Sequence, residues 1–127
     1  MVDVFGQIVD RITENLLGVQ VLLNEESVQI EDVEAAIYPM ITRRETNLMP
    51  TAGVGERYMV QMYIYAKNEM KWYGVTQRLI EAMNGFVPEY GFTEMIFESM
   101  DYFGYSRTYK AFYGVVKFSF RNYRGNI

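Results

Sequence analysis

The chain has 127 residues, which is the usual size of a single domain, so we expect one domain over residues 1–127. Half of the residues are hydrophobic and 22% are charged, a composition that excludes an intrinsically disordered chain. The net charge of −4 argues against a protein that grips nucleic acid, because neutralising phosphates requires clustered Lys and Arg.

The sequence contains no His and no Cys. Their absence removes the commonest general base, the Ser-His and Cys-His nucleophile pairs, disulfides and most zinc sites. Two runs of carboxylates remain as candidates for catalysis or metal binding: Glu31, Asp32 and Glu34, and Glu94, Glu98 and Asp101. We interpret both runs as solvated acidic surface, and predict that the chain is not an enzyme and uses no metal or cofactor.

No run of about 18 apolar residues occurs, and the first residues, MVDVFGQIVDRI, carry acids where a signal peptide carries Lys or Arg. We therefore expect a protein that is made in the cytoplasm and has no membrane partner.

The first two elements follow from apolar spacing. Residues 2–17 place apolar side chains three and four apart, which predicts an amphipathic helix that Asp3 caps and Gly18 ends. Leu17 belongs to its apolar stripe. The short apolar segment 19–24 predicts the first strand, and an acidic stretch without clear period follows it.

A second strand is predicted over residues 36–46, AIYPMITRRET, from its β-branched and aromatic content. Pro39 removes one backbone donor, which favours an edge position or a bulge. Residues 47–56 contain one Pro and two Gly and predict a long flexible loop, a kind of segment that is commonly functional.

The stretch from residue 57 to residue 85 changes period in the middle. Residues 57–66 alternate as a third strand, and Asn68 then caps a helix that ends at Asn84 and Gly85. One face of the strand carries Tyr58, Val60, Met62 and Ile64, and the other carries Met59, Gln61, Tyr63 and Tyr65.

The C-terminal third predicts two more strands. Residues 92–102 favour a strand, with a helical turn as the alternative, and residues 103–106, FGYS, predict a turn into a final strand within 107–124. The final strand has Phe112, Val116, Phe118 and Phe120 on one face, and Tyr113, Val115, Lys117, Ser119, Arg121 and Tyr123 on the other.

The predicted order is therefore α-β-β-β-α-β-β. It indicates an α+β fold with an antiparallel or mixed sheet of four to five strands and both helices packed on one face.

Aromatic side chains on the face of this sheet opposite the helices indicate an interface with a partner. A small domain that shows so much aromatic surface to water favours a partner that covers it, although a cross-strand aromatic ladder is the alternative. Arg43 and Arg44, like Arg121 and Arg124, are interpreted as partners for acids of a neighbouring subunit, or as ordinary surface charge. The candidate interface residues are Arg43, Arg44, Leu48, Met49, Pro50, Val54, Tyr63, Tyr65, Tyr113, Arg121 and Tyr123.

The whole pattern resembles the tail terminator (tail completion) proteins of tailed bacteriophages. The resemblance depends on the N-terminal helix, the strand AIYPMITRRE, the Gly/Pro loop, the strand-to-helix segment 57–85 and the closing strand VVKFSFRNYR. It implies a homohexameric ring in the tail and neck of the virion that caps the tail tube, stops its polymerisation and meets the head-side connector protein. It also implies that DNA passes through the lumen without specific binding.

Two other functions stay open at this point. One is another neck or tail component of the same particle, such as a head completion protein or a tail tube subunit. The other is a small ligand-binding or carboxylate-dependent enzyme domain, which the absence of His and Cys disfavours.

Overall fold

The computed structural model describes residues 4–23, 34–44 and 57–122, with only the backbone described for Arg43 and Arg44. Within these residues the order is α-β-β-β-α-β-β, as predicted, and the fold is α+β. The elements are α1 (Val4–Asn15), β1 (Val19–Val21), β2 (Ala35–Arg44), β3 (Arg57–Ala66), α2 (Glu69–Met83), β4 (Ile96–Ser106) and β5 (Ala111–Arg121).

The five described strands form one mixed sheet in the order β1-β2-β3-β5-β4. β1 runs parallel to β2, and every other neighbouring pair is antiparallel. The two edges of the described sheet are therefore very unequal, since β1 has three residues and β4 has eleven.

Both helices pack on one face of the sheet, as predicted. Ile8 and Ile12 of α1 share a fully buried core with Leu79 of α2, and with Met62 and Phe118 of the central strands. Burying a large apolar side chain of this kind stabilises a fold by about 1.5–3 kcal/mol. This shared core is what holds the helix layer to the sheet.

The predicted cap and end of α2 are confirmed, whereas α1 ends at Asn15, two residues before its predicted limit. The Asn68 side chain accepts a hydrogen bond from the Lys71 backbone N–H at 2.8 Å, which satisfies one free donor of the first turn of α2. Gly18 and Gly85, at φ of 82° and 89°, follow α1 and α2 in the left-handed conformation that ends many helices. The predicted cap Asp3 lies outside the described residues.

One expectation for the N-terminal half is wrong, and one holds only locally. Leu17 does not share the buried stripe of α1, because α1 ends at Asn15 and leaves the Leu17 side chain 79% exposed. Pro39 lies in β2, which is internal by strand order, but at this residue β2 has no described neighbour on its β1 side, so the expected edge position holds locally. β1 pairs only with residues 35–37 of β2, so the missing N–H of Pro39 falls beyond the end of that ladder.

Near the C-terminus the strand predictions are right in kind and wrong in position. β4 begins four residues later than predicted, the helical alternative is wrong, and FGYS lies within β4 rather than in a turn. The turn is formed by residues 107–110 instead. Two register shifts in β4 explain these errors, since they break the alternation, and Gly104 at φ 87° absorbs the second shift without ending the strand.

Candidate assembly surface

An aromatic ladder crosses the face of the sheet opposite the two helices, which we call the open face. Tyr38 of β2 stacks on Tyr63 of β3 at 6.5 Å between ring centroids. Tyr65 of β3 stacks on Tyr113 of β5 at 6.1 Å, and Tyr113 meets Phe103 of β4 at 5.1 Å. Rings at these separations contribute beyond their buried area, so the ladder ties four strands together.

The expectation that Tyr65 shows its ring to water is wrong. Its side chain is only 1% exposed, because Tyr109 packs edge-on at 4.9 Å and Ala36 and Ala111 complete a small second core around it. Tyr63 and Tyr113 are half-buried, so part of each ring stays accessible as predicted. Contacts within the subunit therefore explain the burial of the Tyr65 ring, and a second subunit is not required for it.

The most unusual surface is the edge strand β4. Large hydrophobic side chains are exposed along its length, from 37% for Phe97 to 55% for Tyr105. They point to both faces of the sheet, since Phe97 packs on Phe118 of the core while Phe103 joins the ladder. The exposed side chains of β4 are Ile96, Phe97, Met100, Phe103 and Tyr105.

β4 also has little of the protection that edge strands usually carry. Natural edges are often blunted by Lys or Pro, and the segment IFESMDYFGYS has neither. It has two bulges and two acids, Glu98 and Asp101, which reduce but do not remove its capacity to pair or dock. An eleven-residue apolar edge is a surface that favours association.

None of the five exposed apolar side chains of β4 is among the residues predicted for the interface. The available signal was that apolar residues occur at both even and odd positions of the segment 96–105, with no basic residue between them. That signal does not tell an edge strand from a fully buried central strand. Only the strand order separates the two.

The structure brings two of the predicted basic positions together at one end of the sheet. Arg44, Arg57 and Arg121 occupy paired positions on β2, β3 and β5. Glu98 of β4 reaches this row, with 3.4 Å between its Oε2 and Nη2 of Arg57, and accepts a hydrogen bond from Ser119. Like charges in one row disfavour each other, so this end of the sheet suits an acidic neighbour.

Other predicted interface residues are not placed. The side chains of Arg43 and Arg44 are not described, and Arg43 is placed only by its backbone pairing with Tyr58. Leu48, Met49, Pro50, Val54 and Tyr123 lie outside the described residues.

A small cavity of about 260 Å³ lies between α2 and the turn that joins α1 to β1. Its size is below the range of typical small-molecule pockets, so it suits a protruding side chain better than a drug-sized ligand. The residues that line it are Leu17, Gly18, Val19, Glu34, Lys71, Gly74, Val75 and Arg78.

Charged groups border this cavity. The ammonium of Lys71 pairs with the carboxylate of Glu34, and this hydrogen bond is the main cause that lowers the pKa of Glu34 below its ordinary value. The charges of Lys71 and Lys67 act in the same direction, and partial desolvation opposes them. Arg78 donates to the carbonyl of Leu17 at 3.3 Å, which fixes its guanidinium beside the turn.

The predicted carboxylate runs do not converge on a metal site within the described part of the chain. Glu34 pairs with Lys71, Glu98 contacts Arg57 and Ser119, and Glu94 lies before β4. Across residues 4–23, 34–44 and 57–122, no three acidic side chains are grouped so as to hold a metal ion. The same residues contain no helix with the length and hydropathy of a membrane span. Glu31 and Asp32 lie outside these ranges.

No protein-family model matches the sequence, and no curated protein is significantly similar to it. The surfaces of the molecule and the resemblance in sequence pattern therefore carry the inference of function.

Proposed function

We propose that this chain is a structural protein of a tailed-phage particle that forms a ring at the end of the tail tube and terminates the tube. The observation that supports this proposal most directly is the long apolar edge strand β4. The assignment to the tail terminus, with a hexameric ring, comes from the resemblance in sequence pattern.

The physical reason for assembly is the apolar surface of β4. A lone subunit keeps five large side chains of this strand in contact with water. Removing apolar surface from water is favourable by about 25 cal/mol per Å², and a neighbouring copy supplies the cover. Exposed apolar patches of this kind mark interaction surfaces on soluble proteins.

Closure of the ring limits the number of subunits that can be added. When one surface of a subunit binds a different surface of the next, the contact repeats until the ring closes and no lateral site is left free. Such a ring presents two annular faces, one for the tail tube protein and one for the head-side connector protein. The net charge of −4 lets DNA pass the ring without strong phosphate contacts.

The test measures assembly and tail length together. The purified chain should form a ring, alone or on isolated tail tubes, by mass photometry and electron microscopy. Particles made without it should carry tails of uncontrolled length or lack attached heads. Particles that lack tails altogether would identify a tube subunit instead, and a chain that stays monomeric with tubes present would contradict the proposal.

A matched pair of substitutions connects this test to β4. Phe103→Ser removes an exposed ring from the edge strand and should weaken ring formation at least tenfold. Val87→Ser removes an apolar side chain that is similarly exposed but lies outside β4, and should leave assembly unchanged. Equal effects of the two substitutions would mean that β4 has no special part in assembly.

A further inference from the structure

A ring of identical copies needs two different surfaces that fit each other, and the two edges of the sheet lie on opposite sides of the subunit. β4 forms one side. The other side is formed by β1 and by the neighbouring corner where α1 meets β1 and α2 closes over it. We define this α1–β1 corner by Leu17, Gly18, Val19, Lys71 and Arg78.

We propose that β4 of one copy docks on the α1–β1 corner of the next copy. This inference rests on the proposed ring and names the contact that would build it. Four observations support the contact: strand direction, the apolar character of both surfaces, the side of the sheet on which they lie, and their opposite charge.

Strand direction suits this contact. β1 runs parallel to β2, and the antiparallel steps from β2 through β3 and β5 leave β4 running opposite to β1. Copies that stand side by side in one orientation therefore bring β4 antiparallel to the neighbour's β1, which is the more stable pairing. Since β1 has only three residues, side chains must make most of the contact.

The apolar surfaces match in kind and in position. Leu17 and Leu23 flank β1 and are 79% and 72% exposed, so both edges of the sheet carry uncovered hydrophobic side chains. Met100 and Tyr105 of β4 lie on the helix-covered side of the sheet, paired with residues 116 and 112 of β5. The cavity beside Leu17 is bordered by α2 and lies on that same side.

Gly74 shapes the cavity that would receive a side chain of β4. It lies within α2, and a Cβ at this position would meet nothing within 4 Å. A glycine in an exposed helix costs about 0.5–1 kcal/mol relative to alanine, and no described residue of the single subunit packs closely enough to require it. A glycine at residue 74 would allow a neighbouring copy to approach this turn of α2 closely, because no Cβ stands in the way.

The two surfaces also carry opposite charge. β4 bears two acids and no base, and Arg57 engages one of them, Glu98. The remaining acid, Asp101, pairs with Val115 and so lies toward the open face, which means that it acts on the corner at long range and not by direct contact. Among the described residues that line the cavity at this corner, Lys71 and Arg78 carry two positive charges and Glu34 carries one negative charge. At physiological salt such charges attract over roughly 8–10 Å, which favours this orientation over β4 against β4.

The absence of native cysteine makes a direct test possible. In the double variant Met100→Cys with Leu17→Cys, a short bismaleimide should link copies head to tail into covalent oligomers up to the size of the ring. Each single variant should stay monomeric on a denaturing gel. The control pair Met100→Cys with Val87→Cys should give no ladder.

Charge exchange gives a second readout. Asp101→Lys and Arg78→Glu should each weaken ring formation severalfold through the long-range attraction of the two surfaces, and the two together should recover part of that loss. Circular dichroism checks that each variant is folded. Two losses that simply add would overturn the proposed pairing.

The outcomes separate this contact from the proposed function. A ring that forms without any Leu17–Met100 cross-link overturns the contact and leaves the tail-terminator proposal intact. Cross-linking of the single Met100→Cys variant into dimers means that β4 meets β4, which also overturns it. A chain that forms no ring even on tail tubes contradicts both.

Discussion

The two faces of the sheet hold their largest aromatic side chains in different ways. On the helix-covered face, Trp72 lies directly against the backbone of Gly114 and donates its indole N–H to the carbonyl of Ile64 at 3.0 Å. On the open face, Tyr65 is held by neighbouring rings of the same face, Tyr109 and Tyr113. The first arrangement depends on an exact gap between two layers, and the second depends on stacking, which tolerates adjustment.

The difference separates folding from assembly. A misfit on the helix-covered face disturbs the helix layer and the sheet at once, because protein interiors are densely packed. A change on the open face disturbs a few ring contacts. We therefore expect helix-face substitutions to act on stability, whereas β4 and its neighbours are the region where substitutions act on association.

Gly114→Ala should have the largest effect. A Cβ at residue 114 would overlap the indole of Trp72 and the carbonyl oxygen of Asp101, which is backbone and cannot rotate away. Overpacking usually costs 1–3 kcal/mol, and a clash on two sides belongs at the upper end, so we expect a loss of about 3 kcal/mol. Urea denaturation of the monomeric chain measures it.

Gly74→Ala is the matched control, because the substitution is the same and the surroundings are open. It should stabilise the monomer by about 0.5–1 kcal/mol through the better helix propensity of alanine. Equal effects at residues 74 and 114 would show that the contact of Trp72 with Gly114 does not exclude a side chain at residue 114.

Tyr65→Leu tests the open face and should cost less, about 1–2 kcal/mol. Leucine keeps most of the apolar bulk but loses two ring contacts, each of which contributes about 0.5–1.5 kcal/mol. Tyr63→Leu is its partner, since Tyr63 is half-exposed and stacks on a single ring, Tyr38, within the described part of the chain. It should cost clearly less than Tyr65→Leu. If Tyr63→Leu costs as much, neither the burial of Tyr65 nor its second ring contact adds stability on this face.

The sequence predicted the parts of the fold that local chemistry determines. The capping of α2 by Asn68 and its end at Gly85 follow from side-chain hydrogen bonding and backbone freedom, and the alternation in residues 57–66 follows from the pleat of a strand. These signals lie within a few residues of the feature they predict.

The candidate site was harder to predict, because it depends on strand order. The composition of the segment 96–106 does not indicate an edge strand, so its apolar residues are equally consistent with a buried central strand. The prediction for Tyr65 failed in the opposite sense: alternation placed it on the open face correctly but gave no sign that Tyr109, from the turn between β4 and β5, covers it. Both errors concern contacts between residues distant in sequence.

The smallest effect expected at a fully buried position is a gain of stability on the helix-covered face. Thr76 of α2 is 1% exposed, and its hydroxyl has no hydrogen-bond partner in the described structure. Thr76→Val keeps the shape and removes a polar group whose burial costs about 1–3 kcal/mol, so we expect a gain of about 1 kcal/mol. Thr76→Ser keeps the hydroxyl and loses a methyl group, and should be less stable than the parent chain. A loss of stability in the valine variant would mean that the hydroxyl is satisfied in solution, and that this face tolerates polar groups as readily as the open one.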